Sequence, residues 1–287
     1  MRLTIPGLVD LLSIDDAETI ARVVDDPRMD RVYMRRGPLL NRMVFGGVRR
    51  ALQLGGNPFP PVSPRNDPER QALQAATEAK FTALAGQVAT QDLRPLAAFV
   101  RGEGRVRDAG ILLQNIVGRQ FDPDYAADAR SWAAARILDA APRNFNPLRA
   151  LVWKLTGRVA RAREELGSRV GGSPVGVHAT GIAIHNMVAA LRRMRALWAD
   201  REQAALLSTS AAVARVMVAP KQVLRQPTAA GLSAAGGFGP NTLVLLKLDA
   251  AFAANPNMGS ALMRGHWCQC PAHSWVPALY AAIWEAA

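Results

Sequence analysis

Arg264-Gly265-His266-Trp267-Cys268-Gln269-Cys270-Pro271-Ala272-His273 is the stretch on which the reading of the chain turns. It holds both cysteines of the 287-residue protein and two of its four histidines. Thiolate sulfur and imidazole nitrogen are soft and borderline ligands, so the stretch reads first as a site for a metal or a haem iron. The apolar run from Ser274 to Trp284 that follows has the composition of a helix. A ligand loop feeding straight into a helix can set a thiolate at the helix N-terminus, where backbone N–H groups and the macrodipole favour the anion. His266, Cys268, Cys270 and His273 are also candidates for direct zinc binding. Against this, C-x-C is tighter than the usual C-x2-C, so a tetrahedral site would be strained.

Composition sets the limits around that stretch. Apolar residues make up 49% of the chain, as in a folded globular protein, and aromatics only 6%. Abundant alanine predicts a mainly α protein. Two cysteines spaced C-x-C are no disulfide framework and point to a reducing, cytoplasmic compartment. No apolar run reaches membrane-spanning length, and the start, Met1-Arg2-Leu3-Thr4-Ile5-Pro6, has no signal-peptide pattern. The net charge of +12 invites a nucleic-acid reading. Yet only four of the 35 basic residues are Lys, the Arg residues are scattered, and no aromatic-rich basic strand accompanies them. A solvated arginine-rich surface with no nucleic-acid partner is the expectation, and a carboxylate-bearing ligand is the specific alternative.

Upstream, Gly7 to Leu12 reads as a short strand. Ser13 with Asp16 resembles a capping box, which predicts a helix through about Val24. Residues 33 to 66 are rich in Gly and Pro and predict loop, including Asn57-Pro58-Phe59-Pro60-Pro61 and Ser63-Pro64-Arg65-Asn66. Asp67-Pro68, Asp122-Pro123, Asn146-Pro147 and Ser173-Pro174 each place a capping residue before a proline at a first helical position. The amphipathic runs that follow, Leu151, Val152, Leu155 and Val159 among them, are expected to pack together. The helix opening at Ser173 runs towards Trp198, roughly 35–40 Å at a rise of 1.5 Å per residue. His178 and His185 lie on one face of it. Gly176 and Gly181 cost it stability and suggest close approach of something flat or bulky. A helix over about Arg201–Val218 follows. Two strands come next, Val223–Arg225 and Asn241–Leu248, with a Gly-rich turn from Gly231 to Gly239 between them.

This order of parts resembles the cytochrome P450 family of haem-thiolate enzymes. Gly176-Val177-His178-Ala179-Thr180 lies where the family's distal motif, small-Gly-x-acid-Thr, would fall. Ala212-Val213-Ala214-Arg215 lies where E-x-x-R would fall. Arg225 sits where an arginine holds a haem propionate. Thr242 to Leu246 resembles the strand before the meander, and Asn255-Pro256-Asn257 the turn after it. Gln269-Cys270-Pro271-Ala272 resembles the ligand signature. The likeness is carried by residues 173–287; over 1–172 it rests on element order.

What the resemblance implies is a mainly α, helical haem-thiolate fold with a small β-sheet, in truncated form. It implies one domain over 1–287: a strand, helix and loop cap at 1–66, helices at 67–172, and a haem-binding core at 173–287. The cofactor implied is haem b, iron protoporphyrin IX, with Cys270 as the iron ligand. Cys268 stays open as the alternative ligand, because His266 then stands two residues before it. Arg225, Arg215, His266, Cys268 and Gly176 are the implied cofactor contacts. His178, Thr180 and Asn186 are the implied catalytic groups.

The sequence also departs from the family. The distal acid is replaced by Ala179 and the Glu of E-x-x-R by Ala212. The acid–alcohol pair that delivers protons to dioxygen is therefore missing, which favours branches that start from a peroxide or a fatty-acid hydroperoxide. A hydrophobic substrate that can carry a carboxylate is expected, with a redox partner or a peroxide-generating enzyme as the protein partner. A reductase-dependent monooxygenase and a zinc-binding or non-catalytic haem protein are the alternatives.

Overall fold

The computed structural model describes residues 1–54, 57–58, 62–88, 93–141, 147–255 and 261–287. In chain order the first elements are β1 (Arg2–Ile5), β2 (Val9–Ile14), α1 (Ala17–Asp25), β3 (Met29–Asp30), α2 (Leu39–Ala51), β4 (Gln53–Leu54) and β5 (Asn57–Pro58). Helices follow: α3 (Pro68–Ala85), α4 (Arg94–Val100), α5 (Val106–Arg119), α6 (Ala129–Ala140), α7 (Pro147–Leu155), α8 (Arg158–Arg169) and α9 (Pro174–His178). A π-helical turn, Ala179–Ala183, joins α9 to α10 (Ile184–Ala199), and α11 (Arg201–Ala205) and α12 (Thr209–Val216) come next. The tail is β6 (Val223–Pro227), β7 (Gly231–Ser233), β8 (Gly236–Phe238), β9 (Leu243–Leu246), α13 (Leu248–Ala254) and α14 (Trp275–Ala286). This is the mainly α architecture with a small sheet that the sequence predicts.

The chain forms two compact units. The first comprises Met1–Leu52, Pro60–Lys80 and Ala219–His273. Its five-stranded sheet has the order β1-β2-β9-β6-β3. β2 runs parallel to β9, with Leu12 opposite Val244, and β6 runs antiparallel to β9, with Arg225 opposite Val244. Leu12, Ile14, Val244 and Leu246 are fully or almost fully buried in this sheet. Burying such side chains supplies the main driving force, roughly 1.5–3 kcal/mol each.

The second unit comprises Gln53–Phe59, Phe81–Val218 and Ser274–Ala287. It is a helical body whose core includes Leu113, Leu138, Leu166, Leu191, Met194, Trp275, Leu279 and Ile283. Phe81 packs on both Phe121 and Trp275, with ring centroids 5.9 and 5.4 Å away. Among the described residues, no helix is long and apolar enough to cross a membrane.

Several expectations need correction, each for a local reason. The cap of α1 is Asp16, which accepts the Thr19 N–H at 2.7 Å, while Ser13 is buried inside β2. Within the Gly- and Pro-rich segment 33–66 lies α2, which begins at Leu39 after Pro38 at the cap position, with no side-chain cap and so no start signal in the sequence. Asp122-Pro123 opens a turn rather than a helix. The Asp122 carboxylate accepts the Asp124 N–H and its carbonyl the Tyr125 N–H, so the helix waits for a capping box at Asp128 and Ser131. The helix after Ser173 is interrupted by the π turn, and the one over 201–218 breaks between α11 and α12. Leu151, Val152 and Leu155, expected to pack inward, are exposed. Asn146, Phe59-Pro60-Pro61 and Pro256-Asn257 lie outside the described residues.

Candidate functional site

In the first unit the cysteine stretch is held from several sides. Cys270 donates its N–H to the Leu262 carbonyl at 2.9 Å. Gln74 and Glu78, one turn apart on α3, both reach the stretch, as i,i+4 neighbours on one helix face do. The Gln74 amide donates to the carbonyls of Trp267 and Gln269 at 3.3 and 3.4 Å. Glu78 accepts the Gln269 amide at 3.0 Å. The Trp267 indole N–H donates to the Val24 carbonyl at the end of α1, 2.8 Å away.

Around the Trp267 ring stand four guanidinium groups: Arg31 at 4.9 Å from the centroid, Arg65 at 5.2 Å, Arg70 at 4.7 Å and Arg225 at 5.9 Å. All are within cation–π range. Arg225, only 3% exposed, donates through Nη1 to the Leu224 carbonyl at 2.8 Å and through Nη2 to the Cys268 sulfur at 3.1 Å. A thiol sulfur is a weak acceptor. The Arg225 Nε and the Arg31 Nε are both buried and have no hydrogen-bond partner among the described residues. Asp30 does not relieve them, because its carboxylate accepts the backbone N–H groups of Arg31 and Arg65. Burial, reinforced by the like charge of Arg225, lowers the Arg31 pKa to about 10. Burial also lowers that of Arg70 and raises that of Tyr33, whose hydroxyl donates to the Leu224 carbonyl.

The remaining members of the stretch separate. Cys268 is buried beside Arg225. His266 Nδ1 lies 2.9 Å from the Asp25 carboxylate, and His273 Nδ1 is 3.2 Å from the Cys270 carbonyl. The two histidines and two cysteines therefore do not converge. Among the described residues no group of three or more His, Cys, Asp or Glu side chains is arranged to hold a metal ion. Burial raises the Cys270 thiol pKa, while a backbone hydrogen bond from Ala272 works in the opposite direction and favours the thiolate.

The candidates on the central helix lie in the second unit. Ser173 caps α9 by accepting the Gly176 N–H at 3.1 Å. Thr180, fully buried in the π turn, donates its hydroxyl to the Gly176 carbonyl at 2.8 Å. Its own carbonyl accepts the Gln114 side-chain amide from α5 at 2.9 Å. Single π turns inside α-helices occur frequently at functional sites. His178 ends α9 and Asn186 lies in the first turn of α10, both half-buried. The bulky groups that approach the two glycines are protein side chains. A Cβ on Gly176 would meet Val170 at 2.9 Å and Phe121 at 3.1 Å, and one on Gly181 would meet Leu138 and Leu166 at 2.9 Å. Arg215 is exposed on the last turn of α12.

Sequence reasoning missed Arg31, Arg70, Gln74, Glu78 and Trp267. The available signal was a tryptophan between the two ligand-type residues His266 and Cys268, in a chain rich in arginine. It missed the π turn as well, for which Thr180 four residues after Gly176 is the only local cue.

Solved structures match the chain over its whole length, among them the following three. The P450BioI complex with hexadec-9Z-enoic acid-ligated acyl carrier protein matches with a TM-score of 0.64 at 14% identity, covering 100% of this chain and 86% of that one. Myxobacterial cytochrome P450 CYP267B1 with myristic acid matches with a TM-score of 0.62 at 15% identity, covering 100% and 84%. Cytochrome P450 CREJ with (4-ethylphenyl) dihydrogen phosphate matches with a TM-score of 0.61 at 12% identity, covering 100% and 85%. No protein-family model and no curated protein matches the chain by sequence. The chain therefore has the cytochrome P450 fold, in a form whose sequence has diverged far from these structures.

Proposed function

We propose, from the cytochrome P450 fold, that the chain is a haem-thiolate oxidoreductase that binds haem b through Cys270. The observation that carries this reading is the buried Arg225 beside the cysteine stretch, with an Nε that no group among the described residues satisfies. A buried cation without a strong acceptor is costly unless a ligand supplies one. The two carboxylates of protoporphyrin IX are such acceptors, and arginine's planar fork suits carboxylates. Arg31, with its own buried and unpartnered Nε, adds a second anchor. The donor set fits on the thiolate side as well. Cys270 precedes a proline and the small Ala272, and it has a backbone N–H turned towards its sulfur. Cys268 is the less suited sulfur, because Arg225 already donates to it. His266 is engaged by Asp25. Arg215, exposed, and Gly176, whose open face is filled by Val170 and Phe121, are left out of the proposed contacts.

When bound, a thiolate-ligated haem supplies O–O bond cleavage and oxygen transfer. The chain's own residues decide which oxidant is served. At the position of the distal acid stands Ala179, and the Thr180 hydroxyl donates to the Gly176 carbonyl. Thr180 is thereby a positioning residue that stabilises the π turn, and its proton is held at the Gly176 oxygen. Proton delivery to dioxygen then lacks both members of the pair, whereas a peroxide arrives with its O–O bond already reduced. We assign the polar contacts to such an oxidant to His178 and Asn186.

The apolar helix face at Ile182, Ala183, Val188 and Ala189 suits a lipid-like substrate, and two of the matching structures hold fatty acyl ligands. The proposed reaction is peroxide-driven oxygenation or rearrangement of a fatty-acid-like compound or its hydroperoxide. The test is the optical spectrum of the haem-loaded protein, ferric and then ferrous with CO, followed by turnover with hydroperoxide. A thiolate-type CO band with peroxide consumption is expected. A thiolate band with turnover only from dioxygen and a reductase would make the protein a monooxygenase instead. No haem uptake at all would overturn the reading.

A further inference from the structure

Helix α7 presents its apolar side outward. Leu148, Leu151, Val152 and Leu155 stand at i, i+3, i+4 and i+7, the spacing of one helix face. They are 74%, 51%, 55% and 77% exposed. Trp153 turns the other way and is buried, with the Arg149 and Arg158 guanidinium groups 4.5 and 5.8 Å from its ring centroid. The helix is thus anchored by its tryptophan and offers a leucine stripe that the fold leaves uncovered. Four large aliphatic side chains in one exposed row are not the scattered apolar residues of an ordinary surface.

The charges around the stripe select its occupant. Arg149, Lys154, Arg158 and Arg161 are all exposed. From Asp139 to Glu164 the sequence contains no other carboxylate. A second copy would bring these cations against their own kind. An apolar stripe on a segment whose exposed charges are Arg149, Lys154, Arg158 and Arg161 matches the boundary of an anionic bilayer, where side chains like leucine enter the acyl region and Lys and Arg reach the headgroups. We infer that α7 is an interfacial element that seats the protein on an anionic membrane surface. The inference is independent of haem binding, because none of these residues belongs to the proposed site.

The experiment is flotation of the full chain with vesicles of phosphatidylcholine alone and of phosphatidylcholine mixed with phosphatidylserine, at low and high salt. The protein should bind the mixed vesicles, bind the neutral ones much less, and lose affinity as salt screens the cations. Leu148→Ser with Leu155→Ser alters no charge and should weaken binding by at least about tenfold, the scale of two lost aliphatic insertions. Lys154→Gln should weaken it about fivefold, the share of one cation near a charged surface. Both variants should keep the parent melting temperature, because the altered side chains are exposed. Absence of binding to the mixed vesicles at low salt would overturn the inference. So would binding that the double serine variant leaves unchanged, which would be mere adsorption of a cationic chain. Vesicle-free self-association that the serine variant abolishes would assign the stripe to a second copy and overturn it equally.

Discussion

The Arg225 guanidinium donates to the Cys268 sulfur at 3.1 Å, two residues ahead of Cys270, while its Nε has no acceptor among the described residues. This contact ties strand β6 to the cysteine stretch and leaves one strong donor unspent. A charge-assisted hydrogen bond is worth about 1.5–3 kcal/mol, so Arg225→Ala should release haem roughly ten- to hundredfold more readily. Arg31→Ala should act in the same direction. The measurement is haem transfer to an apo-globin acceptor. Retention equal to the parent in both variants would show that neither arginine faces the propionates.

The two cysteines separate in a second experiment. Cys270→Ser should abolish the thiolate-type CO spectrum, because serine cannot supply the soft anionic sulfur. Cys268→Ser should keep the spectrum and change only how Arg225 is held. The reverse result would move the ligand to Cys268. Unchanged spectra in both variants would exclude a thiolate ligand from this stretch.

Gly118 on α5 is packed directly against the Tyr125 ring, so that a Cβ there would overlap it. Tyr125 is 2% exposed and has nowhere to retreat. Gly118→Ala should therefore destabilise the protein by about 1–3 kcal/mol, the usual cost of overpacking a core. A melting temperature several degrees lower, seen by circular dichroism, is the expected reading.

Tyr125 also predicts an alkaline limit. Burial raises its hydroxyl to about 12. The folded protein then keeps the proton where the unfolded chain, near 10, releases it. The associated stability is complete below about pH 10 and is lost as pH rises towards about 12. Tyr33, shifted upward by burial as well, contributes in the same direction. Denaturant titrations should show the loss in the parent and a smaller loss in Tyr125→Phe.

The parts legible in the sequence were those with a local chemical cause. The Ser173 cap before Pro174, the β-branched and leucine-rich strands β6 and β9, and the apolar α14 after the cysteines all fell where composition put them. What stayed hidden depends on partners far along the chain. Arg31 and Arg70 meet Trp267 only because the fold carries residues some two hundred positions apart into one cluster. Neither has a motif around it. The glycines at 176 and 181 signalled close approach correctly, but a sequence cannot say whether a cofactor or a neighbouring helix is what approaches; here it is Val170, Phe121, Leu138 and Leu166. The stripe on α7 has the same periodicity as a buried one, so pattern alone assigned it to the core.

The last prediction concerns the distal residues. Thr180 donates to the Gly176 carbonyl within its own helix, and the acid beside it is Ala179. If the hydroxyl serves the π turn rather than the oxidant, Thr180→Val should cost stability, about 0.5–1.5 kcal/mol for one hydrogen bond, and change peroxide turnover little. His178→Ala or Asn186→Ala should instead slow hydroperoxide consumption by at least about tenfold, the size of one lost polar contact of ~1.4 kcal/mol. Ala179→Asp restores the missing acid and should raise turnover with dioxygen and a reductase relative to turnover with peroxide, since general acid steps typically contribute about 10²–10⁴-fold. Single-turnover mixing with hydroperoxide, with product analysis, separates these variants. A Thr180→Val protein that loses peroxide turnover while keeping its melting temperature would place the hydroxyl among the reacting groups and remove the argument for peroxide as the oxidant.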